Sequence, residues 1–383
     1  NGGAGCCAYR SGDGGGGIIA VSYGSGTVPT LSAMAGVGGS SQSGVKSIAA
    51  ATDTTNNDLT VFSGYKFLGD VSYRNITFNN GSASTCDTAL TSLSWTASGT
   101  IALNGMSISC SLLNTFSLTA VTLTTSNTNT LTFAKDGAQM TMALTNSVTL
   151  NTTTITLGGH AGSTSASGGL LTMNSAVGIT MVGSTINANV SLPNVTNVSV
   201  DASSVISANG RGCQGGAVNT NGYGPNTSTG ICAITTSGYG PGTGGGEFAS
   251  GGGYGGRGGQ GTSAAANTVT YGSSTAPVFY GSGGGGGSSS YTGGNGGGKI
   301  YINASGTITI AGVIRANGNS GVGYGGGGSG GSVYLLMNTL AGAGSISANG
   351  ANGAAGCCGY RAGDGGGGRV SVSYITNSDF TLG

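Results

Sequence analysis

The chain has 383 residues, of which 83 are Gly, and only 5% are charged, with a formal net charge of +1. So even a balance excludes a basic nucleic-acid surface, and 37% apolar residues in alternating patterns argue against a disordered Gly/Ser tract. Helix formers are scarce: Glu247 is the single Glu, and Ser, Thr, Asn and Gly fill the places they would take.

The chain opens on Asn1–Tyr23, NGGAGCCAYRSGDGGGGIIAVSY, and this stretch returns as Asn352–Tyr374, NGAAGCCGYRAGDGGGGRVSVSY. The copies align without a gap at an offset of 351, with 17 of 23 positions identical. A chain that ends much as it begins is read as one period of a tandem array, or as a subunit whose two ends present related surfaces. There is no initiating Met and no signal-peptide core, so the expectation is a chain that starts in mid-sequence or after processing. No apolar run approaches the roughly 20 residues that span a bilayer.

Four regions follow from texture. Residues 1–70 form an N-terminal Gly-rich cassette and linker. Residues 71–206 are Ser/Thr-rich, with short alternating pairs such as Ile101/Leu103, Phe116/Leu118, Leu131/Phe133 and Ile155/Leu157. Such alternation predicts strands with one face in and one out. Strands this short, with few Asn-Gly or Asp-Gly turns between them, predict an all-β parallel solenoid with long Gly-rich loops. Repeated β-sandwiches are the alternative. Residues 207–298 read as a Gly/Tyr-rich insertion, either extended polyglycine packed on the coil or a surface flap. Residues 299–383 return to the solenoid and contain the second copy. If residues 71–374 all coil, about 12–14 turns and a length of about 60–70 Å are expected.

A stricter grammar runs from Ile206 onward. The phrase Ile-x-Ala-Asn-Gly recurs at Ile206–Gly210, Ile314–Gly318 and Ile346–Gly350, each followed by a glycine run and another alternating strand. Asn and Gly are expected at these corners because both tolerate positive φ. The phrases SANGRGCQGG, GGGYGGRGGQG, GGGKIYINASGTITIAGVIRANG and GGGGRVSVSY resemble the Gly-rich parallel β-helix repeats of large extracellular and cell-surface proteins. The resemblance covers about residues 200–374, and 1–50 more weakly. It implies a right-handed β-helix in a secreted adhesive or fibrous protein, often in tandem, and carries no catalytic residues.

The eight cysteines are Cys6, Cys7, Cys86, Cys110, Cys213, Cys232, Cys357 and Cys358. None lies in a Cys-x₂-Cys pair, so zinc is not indicated. An even count in a Lys-poor chain suggests disulfides and an oxidising compartment. Cys86 and Cys110 are 24 residues apart, near one turn of a three-stranded coil, and Cys213 and Cys232 are 19 apart. The vicinal pairs either bridge locally or crosslink successive units. Asn-x-Ser/Thr sequons at Asn75, Asn80, Asn151, Asn189, Asn194, Asn197, Asn226 and Asn303 are glycosylation candidates.

The ten acids are scattered, and no two lie within four residues of each other. The single His is His160. Asp13 and Asp364 sit in Gly runs without neighbouring carboxylates, where accepting backbone N–H groups or pairing with Arg10 or Arg361 suits them better than calcium. The sequence therefore predicts no enzyme, no cofactor and no metal. It predicts a structural subunit of an extracellular or cell-surface filament that joins itself head to tail, with glycans as a further partner. An adhesin stalk or a glycan- or ice-binding module is the alternative, and a β-helix lyase or hydrolase is disfavoured.

Overall fold

The computed structural model describes residues 19–23, 49–53, 56–61, 66–79, 81, 83–159, 168–226, 232–233, 242–244, 247–354, 360–378 and 380. They contain strands and no helix, and no helix is long and apolar enough to cross a membrane.

Strands fall into three ladders, and each pairs in parallel with the strand of its own ladder one turn further on; the two long strands Leu170–Val182 and Asn189–Val200 each serve two ladders. A first ladder runs through Val71–Tyr73, Ser92–Ala97, Thr115–Ala120, Gln139–Leu144, the front halves of Leu170–Val182 and Asn189–Val200, then Lys299–Ala304, Ser332–Leu336 and Arg369–Ser373. A second runs from Asp58–Val61 and Asn75–Phe78 through Thr100–Asn104, Thr122–Ser126 and Val148–Asn151. It continues through the back halves of the two long strands to Thr307–Ile310, Thr339–Ala341 and Thr376–Ser378. The third is a separate nine-stranded sheet from Lys66–Phe67 to Ser345–Ser347. Parallel pairing throughout these ladders sets aside the antiparallel sandwich. The described exceptions lie at the N-terminal end and in the insertion: Ala49–Asp53 runs antiparallel to Asp58–Val61 and parallel to Ile19–Tyr23, and Gly224–Pro225 pairs antiparallel with Cys232–Ala233.

Alternation sends one face of every ladder inward. In the first ladder Leu93, Phe116, Met140, Leu171, Val190, Ile300 and Val333 are in register, one per rung, and all are buried. In the third, Ile108, Leu131, Ile155, Ile186, Ile206 and Ile314 do the same. The early turns hold a chain of aromatic contacts, Phe67 to Trp95 at 5.1 Å, Trp95 to Phe116 at 4.9 Å edge-on, and Phe116 to Phe133 stacked at 4.8 Å. Later rungs are filled by aliphatic side chains and Met, among them Met173, Leu192, Ile300 and Leu335.

The coil is shorter than the sequence predicts. Among the described residues the third ladder has nine rungs, about 40 Å at the spacing of adjacent strands, not 12–14 turns. The reason is where the glycines go. Ile108 to Leu131 to Ile155 advances by 23 and 24 residues per rung, but Ile206 to Ile314 takes 108 and Ile314 to Ile346 takes 32. From Ile206 onward each long excursion leaves after the third ladder and returns at the start of the first.

These excursions pack together as extended chains. Gly281–Gly287 lies at their centre. Gly281 and Gly284 donate to the carbonyls of Gly297 and Gly294, Gly283 and Gly286 to Tyr223 and Thr220, and Gly285 to Ser250. The carbonyls of Gly281, Gly284 and Gly287 accept from Cys213, Gly216 and Asn219, that of Gly283 from Gly242, and that of Gly285 from Gly326. Partners thus repeat every third residue, the period of a polyproline-II-like chain, which has no internal hydrogen bonds and must spend them on neighbours. Glycine is required by proximity: a Cβ on Gly283, Gly284, Gly285 or Gly286 would overlap the carbonyl of Gln214, Gly326, Thr243 or Ala217. Of the two readings of the insertion, packed extended chain describes Gly281–Gly287 and the described segments that bond to it.

Candidate functional site

The second copy of the repeated cassette forms the C-terminal end of both the bundle and the coil. Asp364 accepts the Gly353 N–H at 2.8 Å, which closes the loop between them. Gly365, Gly366 and Gly368 then donate to Ala351, Gly252 and Ala348 and form the bundle's last extended segment. Arg369 follows, its Nε donating to the Tyr271 carbonyl at 2.9 Å and its guanidinium lying 5.6 Å from the Tyr254 ring centre. Tyr254 bonds Ser332 at 2.7 Å, and Tyr271 donates to the Tyr280 carbonyl; burial raises the pKa of both phenols, that of Tyr271 well above its ordinary value.

Beyond Arg369 the cover thins, although Phe380, past the last strand, is still buried in the main core and Val372 is partly buried against it. Arg369–Ser373 pairs with Ser332–Leu336, and among the described residues no strand lies on its other side. The cover enjoyed by earlier rungs is lost here: Ile300 and Val333 are 1% and 0% exposed, whereas Val370, next in the same row, is 44% exposed. Tyr374 and Ile375 are also exposed. Arg369 donates to Gly331 and Ser373 accepts from Met337, so residues 369 and 373 spend their backbone groups on the preceding rung. In a parallel ladder these directions alternate, so the N–H and C=O of Val370 and Val372 face the open side.

The cysteines divide. Cys86 and Cys110 sit at the ends of neighbouring third-ladder strands and form a disulfide with Cα atoms 5.1 Å apart, in the direction of the stack. Cys213 bonds Cys232 at a Cα distance of 5.2 Å and ties the insertion to itself, packed with Tyr280 and Tyr223. Cys6, Cys7, Cys357 and Cys358 lie outside the described residues, as do Asn80, Asp13, Arg10 and His160.

The sequons have a second use. Asn75 accepts the Thr100 N–H at 2.8 Å, Asn189 that of Lys299 at 2.8 Å and Asn197 that of Thr307 at 2.7 Å. In each case the donor lies one turn further along, so the side-chain carbonyl replaces a ladder bond where the backbone turns a corner. Asn189 is fully buried, and its Nδ2 donates to the carbonyls of Gly168 and Arg211. The Nδ2 of Asn303 donates to Pro193, and that of Asn75 to Asp58. Asn151 and Asn226 are half-buried; Asn194 is exposed.

The Asn of the Ile-x-Ala-Asn-Gly phrase works in the same way, which corrects the expectation of positive φ. Asn209 accepts from Asn317 and Asn317 from Asn349, at 2.8 and 2.7 Å, and within the three phrases only Gly210 has positive φ, 61°. The sequence signal was present, an Asn at a fixed place in each turn, but a corner preference and a side-chain bond look alike in one dimension.

Acids are spent on structure too. Asp70 accepts the Ser94 N–H, and Asp201 those of Gly183 and Ser203. Asp58 pairs with Arg74 at 2.7 Å and Asp87 with Lys66 at 2.6 Å. The hydrogen bond from Arg74 holds the Asp58 carboxyl below its ordinary range. Burial lowers the Arg211 pKa to about 10, and its guanidinium donates to the Leu157 carbonyl. No group of three His, Cys, Asp or Glu that could hold a metal occurs among the described residues.

No family model, curated protein or solved structure matches this chain.

Proposed function

We propose that the chain is a structural subunit of an extracellular filament or surface fibre. Its parallel ladders are read as a right-handed β-helix of the Gly-rich kind found in large extracellular and cell-surface proteins, and its copies join end to end. The observation that carries this reading is the last rung, on whose other side no described strand is paired and where Val370 lies open in a row whose earlier members are buried, within a cassette that the chain also carries at its start. An unpaired edge of this kind recruits another chain unless it is blocked, and a contact between unlike ends propagates without closing when its rotation does not form a ring. Disulfides along and beside the stack fit an oxidising, secreted setting. The reading assigns no catalytic step. Negative-stain microscopy of the native material tests it: filaments are expected, and a monodisperse monomer at all concentrations rejects it.

A binding module is the second reading. Thr124, Thr149, Thr180, Ser199 and Thr309 follow one another rung by rung on the outer face of the second ladder. A flat hydroxyl row of this kind suits glycan or ordered water. Thermal hysteresis and a glycan array separate those two ligands, and silence in both leaves the row as ordinary outward strand chemistry.

A further inference from the structure

The repeated cassette supplies its own template for the joint. Its first copy ends in Ile19–Tyr23, which pairs in parallel with Ala49–Asp53, Ile19 opposite Ala49 and Tyr23 opposite Asp53. Its second copy ends in the open edge strand. Adding the offset of 351 converts Ile19 to Val370 and Tyr23 to Tyr374. We propose that the edge strand of one copy pairs with Ala49–Asp53 of a second copy in this same register, Val370 opposite Ala49, Ser371 opposite Ala50 and Val372 opposite Ala51.

The backbone directions agree with this seat. Val370 and Val372 present their N–H and C=O groups to the open side, as a parallel partner requires. In an isolated copy the seat is held by that copy's own Ile19–Tyr23, so joining is a strand exchange between two closely related sequences. The exchange is favoured because Val370, bare in the free chain, gains cover, while the displaced strand is replaced by a near-copy of itself.

The register also sets the shape of the joint. Ala49–Asp53 is antiparallel to the first strand of its own coil, with Ala50 opposite Val61 and Thr52 opposite Leu59. Positions 50 and 52 therefore share the core face of that coil, and 49 and 51 lie on the reverse. Val370 and Val372, which pair with 49 and 51, are core-face positions of their own coil. The two cores thus lie on opposite faces of one continuous sheet, and successive units alternate from side to side instead of sharing an axis.

This inference rests on the fibre reading, and the test separates the two. In the full 383-residue chain, Ala50→Cys with Ser371→Cys places two thiols at the one-rung spacing that Cys86 and Cys110 already bridge. After oxidation, non-reducing electrophoresis is expected to show a ladder above that of the parent chain, and peptide mapping a 50–371 link. Ala51→Cys with Ser371→Cys, displaced to the other face, is expected to add none. Val372→Pro removes an N–H that the preceding rung does not use, and is expected to leave the circular dichroism unchanged while abolishing the ladder. Filaments that form without the 50–371 link, or that persist in Val372→Pro, overturn the joint and leave the fibre standing. A parent chain that forms no assemblies overturns both.

Discussion

The coil and the glycine bundle solve one problem in opposite ways. In the coil, backbone bonds run up the stack and side chains fill the middle: Phe116, Leu118 and Met140 leave the backbone no room for water. At the centre of the bundle Gly281–Gly287 carries a single side chain, Ser282, and the backbone itself is the core, although rings such as Tyr254 and Tyr271 are buried elsewhere in the insertion. Gly284 is held by Gly294, Gly216 and the close approach of Gly326, with nothing apolar larger than a methylene involved. One region is stabilised mainly by the burial of apolar surface, the other by satisfied peptide groups and close contact. The lesson is that a Gly-rich stretch is not by composition a linker. Where each third peptide group finds the same neighbour, absence of side chains is the packing requirement.

The contrast can be broken first in the coil. Phe116→Ala removes a ring stacked on Phe133 and edge-on to Trp95, and is expected to cost about 3–5 kcal/mol in denaturant unfolding. In the bundle the damaging change is an addition. Gly284→Ala forces a methyl onto the Gly326 carbonyl and is expected to cost about 1–3 kcal/mol, whereas Gly367→Ala, with open space at its Cβ, stays within about 0.5 kcal/mol. Equal melting temperatures for these two variants would remove the argument from proximity.

Corners give the next smaller effect. Asn189→Ala orphans the Lys299 N–H and the carbonyls it serves, for a loss of about 1–2 kcal/mol, while Asn194→Ala on the exposed face changes little. The same difference predicts glycan placement: in material from a secretory host, mass spectrometry is expected to find Asn194 occupied and Asn189 bare. The smallest effect is in acid. Hydrogen bonds from Arg74 to Asp58, from Lys66 to Asp87 and from Ser204 to Asp201 lower these carboxyl pKa values in the folded chain. Their contribution is complete above the ordinary carboxylate range and is lost as pH falls through the lowered values. Thermal melts are therefore expected to be flat from about pH 8 to 5 and to decline below about pH 4, less so in Asp58→Asn.

How much of this could be read from the chain depends on where the information lies. Ile101/Leu103 and Ile155/Leu157 announced inward rows because side chains alternate with the pleat. The 24-residue interval between Cys86 and Cys110 matched one turn for the same reason. The bundle was not legible beyond its composition, since Gly281–Gly287 owes its order to peptide groups that every residue possesses. The length of the coil was overestimated because nothing in the glycine runs marks them as leaving it. Asn189 and Asn197 were visible only as sequons; their bonds to Lys299 and Thr307 span 110 residues and depend on the insertion returning to its rung.

That return has an evolutionary meaning. Because the long excursions from Ile206 onward leave and re-enter at one corner, Val190 meets Ile300 as securely as Phe116 meets Met140, although the intervening chain is several times longer. The corner acts as a port, through which sequence can be added or removed without altering the count of rungs. Contour length and object length are thereby uncoupled. Relatives of this chain could differ widely in size and still present ends of the same shape to one another.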